Sequence, residues 1–260
     1  MKTLRIFLLI LIIIGIGLLL TQKSWVPKLV DFIISHDTPE KEVVLKPTPK
    51  KEEANSITIT SQKITEENFT GTAAVISGSS PLATKMQNYI DGVVSDFRKD
   101  ANTEVPDIRA KFGKDNPTAN YEIDINSKYI MGGKTESIVT DVYTFTGGAH
   151  GSTIYKVMTA DQKSGKILAL SDIVKKEKQT AFTNLVKKEL NSWIPEGSTA
   201  PVVFAYDVNN LTFADFTNWS LDGQNMIIYF DQYSIGPGVL GATAFQIPLS
   251  KTSEFLDLNY

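Results

Sequence analysis

Apolar and polar positions divide the chain into three parts. From Ile6 to Leu20 every residue is Ile, Leu, Phe or Gly, with Lys2 and Arg5 before the run and Lys23 after it. No polar face interrupts it, as a helix at the surface of a soluble core would require. The run therefore predicts a single membrane-spanning helix over residues 1–22, slightly short for the hydrocarbon core and helped by lysine and arginine reaching the interface. No Ala-x-Ala-like cleavage site comes after it, so an uncleaved anchor is expected, with the bulk of the chain extracytoplasmic. Residues 23–56 predict a juxtamembrane segment and stalk. Val26 to Ile34 reads either as a short amphipathic stretch with Leu29, Phe32 and Ile33 buried or as an ordinary juxtamembrane linker, and proline and mixed charge dominate from His36 to Ser56.

The third part, from Ile57 onward, shows folding periodicities. Ile57 to Thr60 alternates, and Thr72 to Ser77 is rich in strand formers. Ser80-Pro81 opens a helix, with serine as cap and proline in the first turn. Leu82, Met86, Tyr89, Ile90, Val93, Val94 and Phe97 mark its buried face. Pro106 is expected to break or kink the chain beyond that face. Strands are predicted at Tyr121–Asn126, Ser137–Thr146 and Ser152–Thr159, and a tight turn at Asp161–Gly165 leads into Lys166–Leu170. A helix capped at Ser171-Asp172 runs to Trp193, with Phe182, Leu185, Val186, Leu190 and Trp193 on one face. Leu211–Trp219 and Asn225–Phe230 read as strands joined through Leu221-Asp222-Gly223-Gln224, and Ala242–Ile247 as the last strand. Strands arriving in runs, with helices between the runs, predict an α+β fold of antiparallel sheets with packed helices. It divides into an N-terminal part, 57–160, and a C-terminal part, 161–260.

Composition narrows the chemistry. The chain has 260 residues, 42% hydrophobic and 21% charged, with a net charge of −3 and no cysteine. That is enough apolar material for a real core, without the basic field that attracts nucleic acid. Cysteine-ligated zinc and thiolate chemistry are excluded. The folded part holds one histidine, His150, so a histidine-rich metal site is not expected, and no cofactor motif appears. His150 lies in Gly147-Gly148-Ala149-His150-Gly151, which lacks the spacing and lysine of a phosphate loop and is read as a tight turn between strands. No Gly-x-Ser-x-Gly elbow accompanies it. The second glycine-rich segment, Asp231 to Gly241, carries Tyr233, Ile235, Val239 and Leu240 among Gly236, Pro237, Gly238 and Gly241. An ordered loop with apolar side chains presents a binding surface.

Taken together, Tyr143-Thr-Phe-Thr-Gly-Gly-Ala-His-Gly151, Asp161-x-x-x-Gly165 with Lys166 to Asp172, and Phe230-x-x-Tyr233-x-Ile-Gly-Pro237-x-x-x-Gly241 with Ile247-Pro248-Leu249 resemble one bacterial extracytoplasmic module. It is the domain of unknown function shared by RsiV-type anti-sigma factors and PdaC-type peptidoglycan deacetylases, and the resemblance spans Ile57 to Phe255. It implies an α+β envelope domain that senses lysozyme in the anti-sigma factors and accompanies a separate catalytic domain in the deacetylases. Three departures stand out. Few residues precede the apolar run, where a sigma-binding domain would sit. No segment carries the Asp and paired His ligands of a polysaccharide deacetylase. Gly238 replaces a frequent aromatic residue.

The expected function is thus a membrane-anchored, non-catalytic envelope module that binds a cell-wall glycan such as peptidoglycan, or an envelope protein such as lysozyme. Its candidate contact residues are Tyr143, Gly147, Gly148, His150, Gly151, Tyr233, Gly236, Pro237, Gly238 and Gly241. The competing reading is a cell-wall hydrolase or esterase using His150, which would need an Asp or Ser hydrogen-bonded to that ring.

Overall fold

The alternating and helical patterns become nine strands and a long helix in the computed structural model, which describes residues 56–257. The expected anchor, amphipathic stretch and stalk lie outside the described residues. Among the described residues no helix is long and apolar enough to cross a membrane.

Strands β1 (Thr58–Thr65), β2 (Phe69–Ser77), β3 (Tyr121–Gly132), β4 (Thr135–Phe145), β5 (Ser152–Asp161) and β6 (Ile167–Leu168) form one sheet in sequence order. All neighbours are antiparallel except β2 and β3, which pair in parallel from Phe69↔Tyr121 to Ala73↔Ile125. Helix α1 (Pro81–Phe112) is the crossover between them. A parallel pair needs such a connection, because a tight turn reverses the chain. Ser80 caps α1 by accepting a hydrogen bond from the Ala83 N–H. Leu82, Met86, Ile90, Phe97, Ala101 and Val105 then bury one face against Ile123, Ile125 and Ile138.

The helix runs on through Pro106 to Phe112, so of the expected break or kink the break does not occur. A proline there removes one backbone bond and costs about 3 kcal/mol. Burial of Ala101 and Val105 just before it offsets that cost. Arg109, just after it, donates to Asn68 Oδ1 at 2.8 Å and to the Glu67 carbonyl at 3.1 Å, pinning the last turn to the sheet.

The C-terminal part is more broken than its periodicity suggested. The expected helix from Ser171 to Trp193 is α2 (Leu170–Ile173), a 3-10 turn at Lys176–Lys178 and α3 (Gln179–Ser192). The expected strand from Leu211 keeps only its end, β7 (Trp219–Leu221). Its first half is a 3-10 turn, Phe213–Asp215, in which Asp215 accepts from the Thr212 N–H and hydroxyl. A short helix, α4 (Ala205–Asn210), precedes it. The hairpin at Leu221–Gln224 is present: β7 pairs with β8 (Asn225–Phe230), and Asp222 accepts from the Gln224 and Asn225 N–H groups. Strand β9 (Thr243–Pro248) completes a three-stranded antiparallel sheet, and α5 (Leu249–Thr252) comes after it.

The two sheets stack. Strand β8 is apolar on both sides because it is buried on both. Ile227 and Tyr229 face Val139 and Val157 of the first sheet. Met226, Ile228 and Phe230 face a second core with Phe182, Phe216 and Trp219.

Candidate functional site

The smaller sheet does not cover the whole outer face of the larger one. It buries Ser137, Val139, Val157 and Thr159, and Thr159 Oγ1 donates to the Trp219 carbonyl at 2.7 Å. Further along β4, the outward positions Asp141, Tyr143 and Phe145 remain only partly covered. Pairing sets Glu122 of β3 opposite Phe145, and Thr153 of β5 opposite Tyr143. Tyr155 and Tyr229 stack edge to face at 5.1 Å where the cover ends. Burial pushes the Tyr229 phenol up to about 12, and its oxygen lies 2.9 Å from Ser220 Oγ.

The chain leaving β8 walls this open end. On the edge away from β4, the first half of β5 has no strand beside it among the described residues, since β6 pairs only with Thr159 and Ala160. Side chains take that place. Gln232 Oε1 accepts from the Thr153 N–H at 3.0 Å, and the Gln232 N–H donates to the Thr153 carbonyl at 3.0 Å. Asp231 Oδ1 accepts from the Tyr155 N–H at 2.7 Å. Asn218 donates to the Tyr155 carbonyl at 3.0 Å and accepts from the Val157 N–H at 2.9 Å. An open strand edge is thereby satisfied, and the two halves are joined through polar bonds as well as apolar contact.

The result is an open cleft of about 530 Å³ lined by Glu122, Tyr143, Phe145, Ala149, His150, Gly151, Thr153, Gln232 and Gly241. Both glycine-rich loops reach it, the first through Ala149, His150 and Gly151 and the second through Gln232 and Gly241. His150 Nδ1 lies 2.9 Å from the Gly151 carbonyl and Nε2 lies 2.8 Å from the Tyr233 hydroxyl. A carbonyl only accepts, so Nδ1 carries the proton; Nε2 of the neutral ring then accepts from Tyr233. Tyr233 is half exposed and, among the described residues, is the non-glycine residue with positive φ, at 71°. That conformation strains a bulky residue by roughly 1–3 kcal/mol. The Ser234 N–H and hydroxyl, both bonded to the Asp231 carbonyl, and the contact with His150 hold it.

The glycines divide by role. A Cβ on Gly147, at φ 84°, would overlap the Thr118 carbonyl, so this glycine seats the first loop against the backbone. A Cβ on Gly151 would overlap the Tyr143 ring, and one on Gly238 the Tyr233 ring. These two glycines let the aromatic rings lie flat on the backbone. A Cβ on Gly148 would make only an ordinary contact with the His150 carbonyl, and Gly236 packs against Leu240 and the backbone of Val202 and Val203. Pro237 opens the 3-10 turn Gly238–Leu240. Of the candidate residues, Gly147, Gly148, Tyr233, Gly236, Pro237 and Gly238 are not among the cleft's lining residues. Ile235 is buried in the second core, whereas Val239 is almost fully exposed.

Sequence reasoning missed Glu122, Phe145, Ala149, Thr153 and Gln232. Glu122 occupies a polar position of the alternating run Tyr121–Asn126, which marks it as outward but not as part of a cleft. Among the described residues no group of three or more His, Cys, Asp or Glu could hold a metal ion.

Two family models match separate segments of the chain. Residues 69–153 match the family described as Deacetylase PdaC, and residues 171–250 match the protein family of unknown function DUF3298. The chain is 24% identical over 191 residues to the peptidoglycan-N-acetylmuramic acid deacetylase PdaC of Bacillus subtilis (strain 168). That alignment takes in 69% of this chain and 37% of that protein's length. A crystal structure of a DUF3298 family member from Bacteroides fragilis NCTC 9343 superposes with a TM-score of 0.53 at 16% identity, covering 78% of this chain and 94% of that one. The shared fold is what this last likeness carries. Cleft residues Glu122 to Thr153 fall in the first matched segment, and Gln232 and Gly241 in the second.

Proposed function

We propose that this chain, a PdaC/DUF3298-type domain, is a membrane-anchored cell-envelope module that binds a cell-wall glycan in the cleft between its two glycine-rich loops, without catalysis. The observation that carries the reading is the convergence of Tyr143, Phe145 and His150 on one shallow, preformed cleft, with Tyr233 hydrogen-bonded to His150. Aromatic rings give a sugar ring a flat apolar surface, and the polar groups between them meet its hydroxyls. Gly151 and Gly238 fix two of those rings against the backbone, so little conformational freedom is lost on binding. The matched deacetylase is named for its action on peptidoglycan, which puts a wall polymer first among the candidate ligands. The apolar run from Ile6 to Leu20 supplies the anchor in this reading.

The geometry at His150 supports binding over hydrolysis. Both ring nitrogens are engaged, one by the Gly151 carbonyl and one by the Tyr233 hydroxyl, rather than by the carboxylate or serine that a general base would need.

Co-sedimentation of the full chain with purified peptidoglycan tests the proposal. The wild type is expected in the pellet, and Tyr143→Ala and Tyr233→Ala are each expected to weaken retention roughly tenfold, as loss of an aromatic anchor does. Retention that is absent, or that neither variant changes, overturns it. Capture of lysozyme instead of peptidoglycan would move the cleft to a protein partner, and release of soluble wall fragments would make it an enzyme.

A further inference from the structure

Several polar groups at the cleft are already spent on the protein itself. His150 spends its Nδ1 proton on the Gly151 carbonyl, and its Nε2 lone pair on Tyr233. Gln232 spends its oxygen on the Thr153 N–H and one of its two amide hydrogens on the Gly238 carbonyl at 3.2 Å. The Tyr233 hydroxyl is taken up by His150. Glu122 is exposed, lines the cleft, and makes no hydrogen bond or ion pair among the described residues. The free groups thus include the hydroxyls of Tyr143 and Thr153, which donate or accept, and one group that only accepts, the Glu122 carboxylate.

We infer that Glu122 is the specificity-determining residue of the cleft and that it selects a saccharide bearing a free ammonium group, an amino sugar without its N-acyl group, over the N-acetylated equivalent. The inference rests on the glycan reading of the cleft and goes beyond it by fixing the sugar's charge. An ammonium offers three donors and one positive charge to a carboxylate that is otherwise unpaired. An N-acetyl group offers one donor and no charge. A sugar carboxylate or phosphate meets only repulsion from Glu122. The preference is modest because Glu122 is solvent-exposed, and charge pairs at such positions are weak. Asp124 provides the internal control. It lies two residues along the same strand face, and it is already bonded to Thr72 Oγ1 at 2.7 Å and is not a lining residue of the cleft.

The test titrates the full chain, at a pH where the sugar amine is protonated, with glucosamine oligomers and with N-acetylglucosamine oligomers of equal length. Wild type is expected to bind the amine form about three- to fivefold more tightly. Glu122→Gln is expected to bring the two affinities together, and Asp124→Asn to preserve the preference. Raised salt is expected to shrink it. Equal wild-type affinities, or a preference that survives in Glu122→Gln, overturn the inference and leave the glycan reading standing. Binding of neither oligomer overturns both.

Discussion

The core beneath α1 and the core around Phe182 reach similar burial by opposite means. The first is one long helix laid on a sheet, and six of its buried positions are alanine: Ala73, Ala74, Ala83, Ala101, Ala119 and Ala160. Small side chains let regular elements approach closely along their whole length. The second holds no buried alanine. It gathers short pieces around large rings: Phe182 meets Phe213, Phe216 and Phe255 edge to face, at 6.1, 6.1 and 5.9 Å. Elements of three to six residues bury too little surface each to dock on their own, and a few aromatic anchors must supply the contact. Long regular elements thus spread stability over many small contacts, whereas short ones concentrate it in a few residues.

The sharpest way to break this contrast is Phe182→Ala. It removes the shared contact of three separate segments and is expected to cost about 3–5 kcal/mol in urea unfolding. Hydrogen exchange should place the loss unevenly. Amides of β8 and β9 should lose more protection than those of Ile123 and Ile125 in the first core. Equal loss in both would mean that the cores share one cooperative unit and that the contrast is only architectural.

A smaller effect is expected where the halves join. Asn218→Ala leaves the Val157 N–H and the Tyr155 carbonyl without partners at an edge no strand covers. A cost of about 1–3 kcal/mol is expected, with faster exchange at the Val157 amide. An unchanged midpoint would assign the joint to Val139, Val157, Ile227 and Tyr229 alone.

The smallest effect is acid sensitivity, and it falls on the C-terminal half. The Lys166 ammonium, and then the Ala169 N–H, hold the Asp172 carboxyl below the usual range. Burial acts upward on Asp222, yet bonds from the Gln224 backbone and from Asn225 outweigh it and leave this carboxyl low as well. A carboxyl lowered in the folded state stabilises above the usual aspartate pKa of about 3.9, and that contribution is lost as pH falls through the folded value. Stability should therefore decline toward the acid side of that range. Asp172→Asn should flatten the decline, as read from unfolding midpoints across pH.

The contrast between cores also explains what could be read in advance. Helix α1 was legible because Leu82, Met86, Ile90 and Phe97 repeat at helical spacing over many turns. Its passage through Pro106 was not, because the burial that offsets the proline belongs to the partner sheet. Leu211–Trp219 misled because its apolar residues imitate strand alternation. The Thr212-x-x-Asp215 spacing of a capping box was the better signal there. Helix α4, with six residues, is too short to show any period.

The amino-acid order alone determined the α+β class, most of the strands of both sheets, and the two loops that bear His150 and Tyr233. These depend on neighbours a few positions apart, where periodicity and turn chemistry act directly. Only the tertiary structure decided that the smaller sheet stops short on the larger, that Glu122 lies opposite Phe145, and that Gln232 completes the edge of β5 at Thr153, 79 positions away. Those juxtapositions are set by register and coverage between distant strands, and a one-residue shift in register would turn Glu122 to the opposite face.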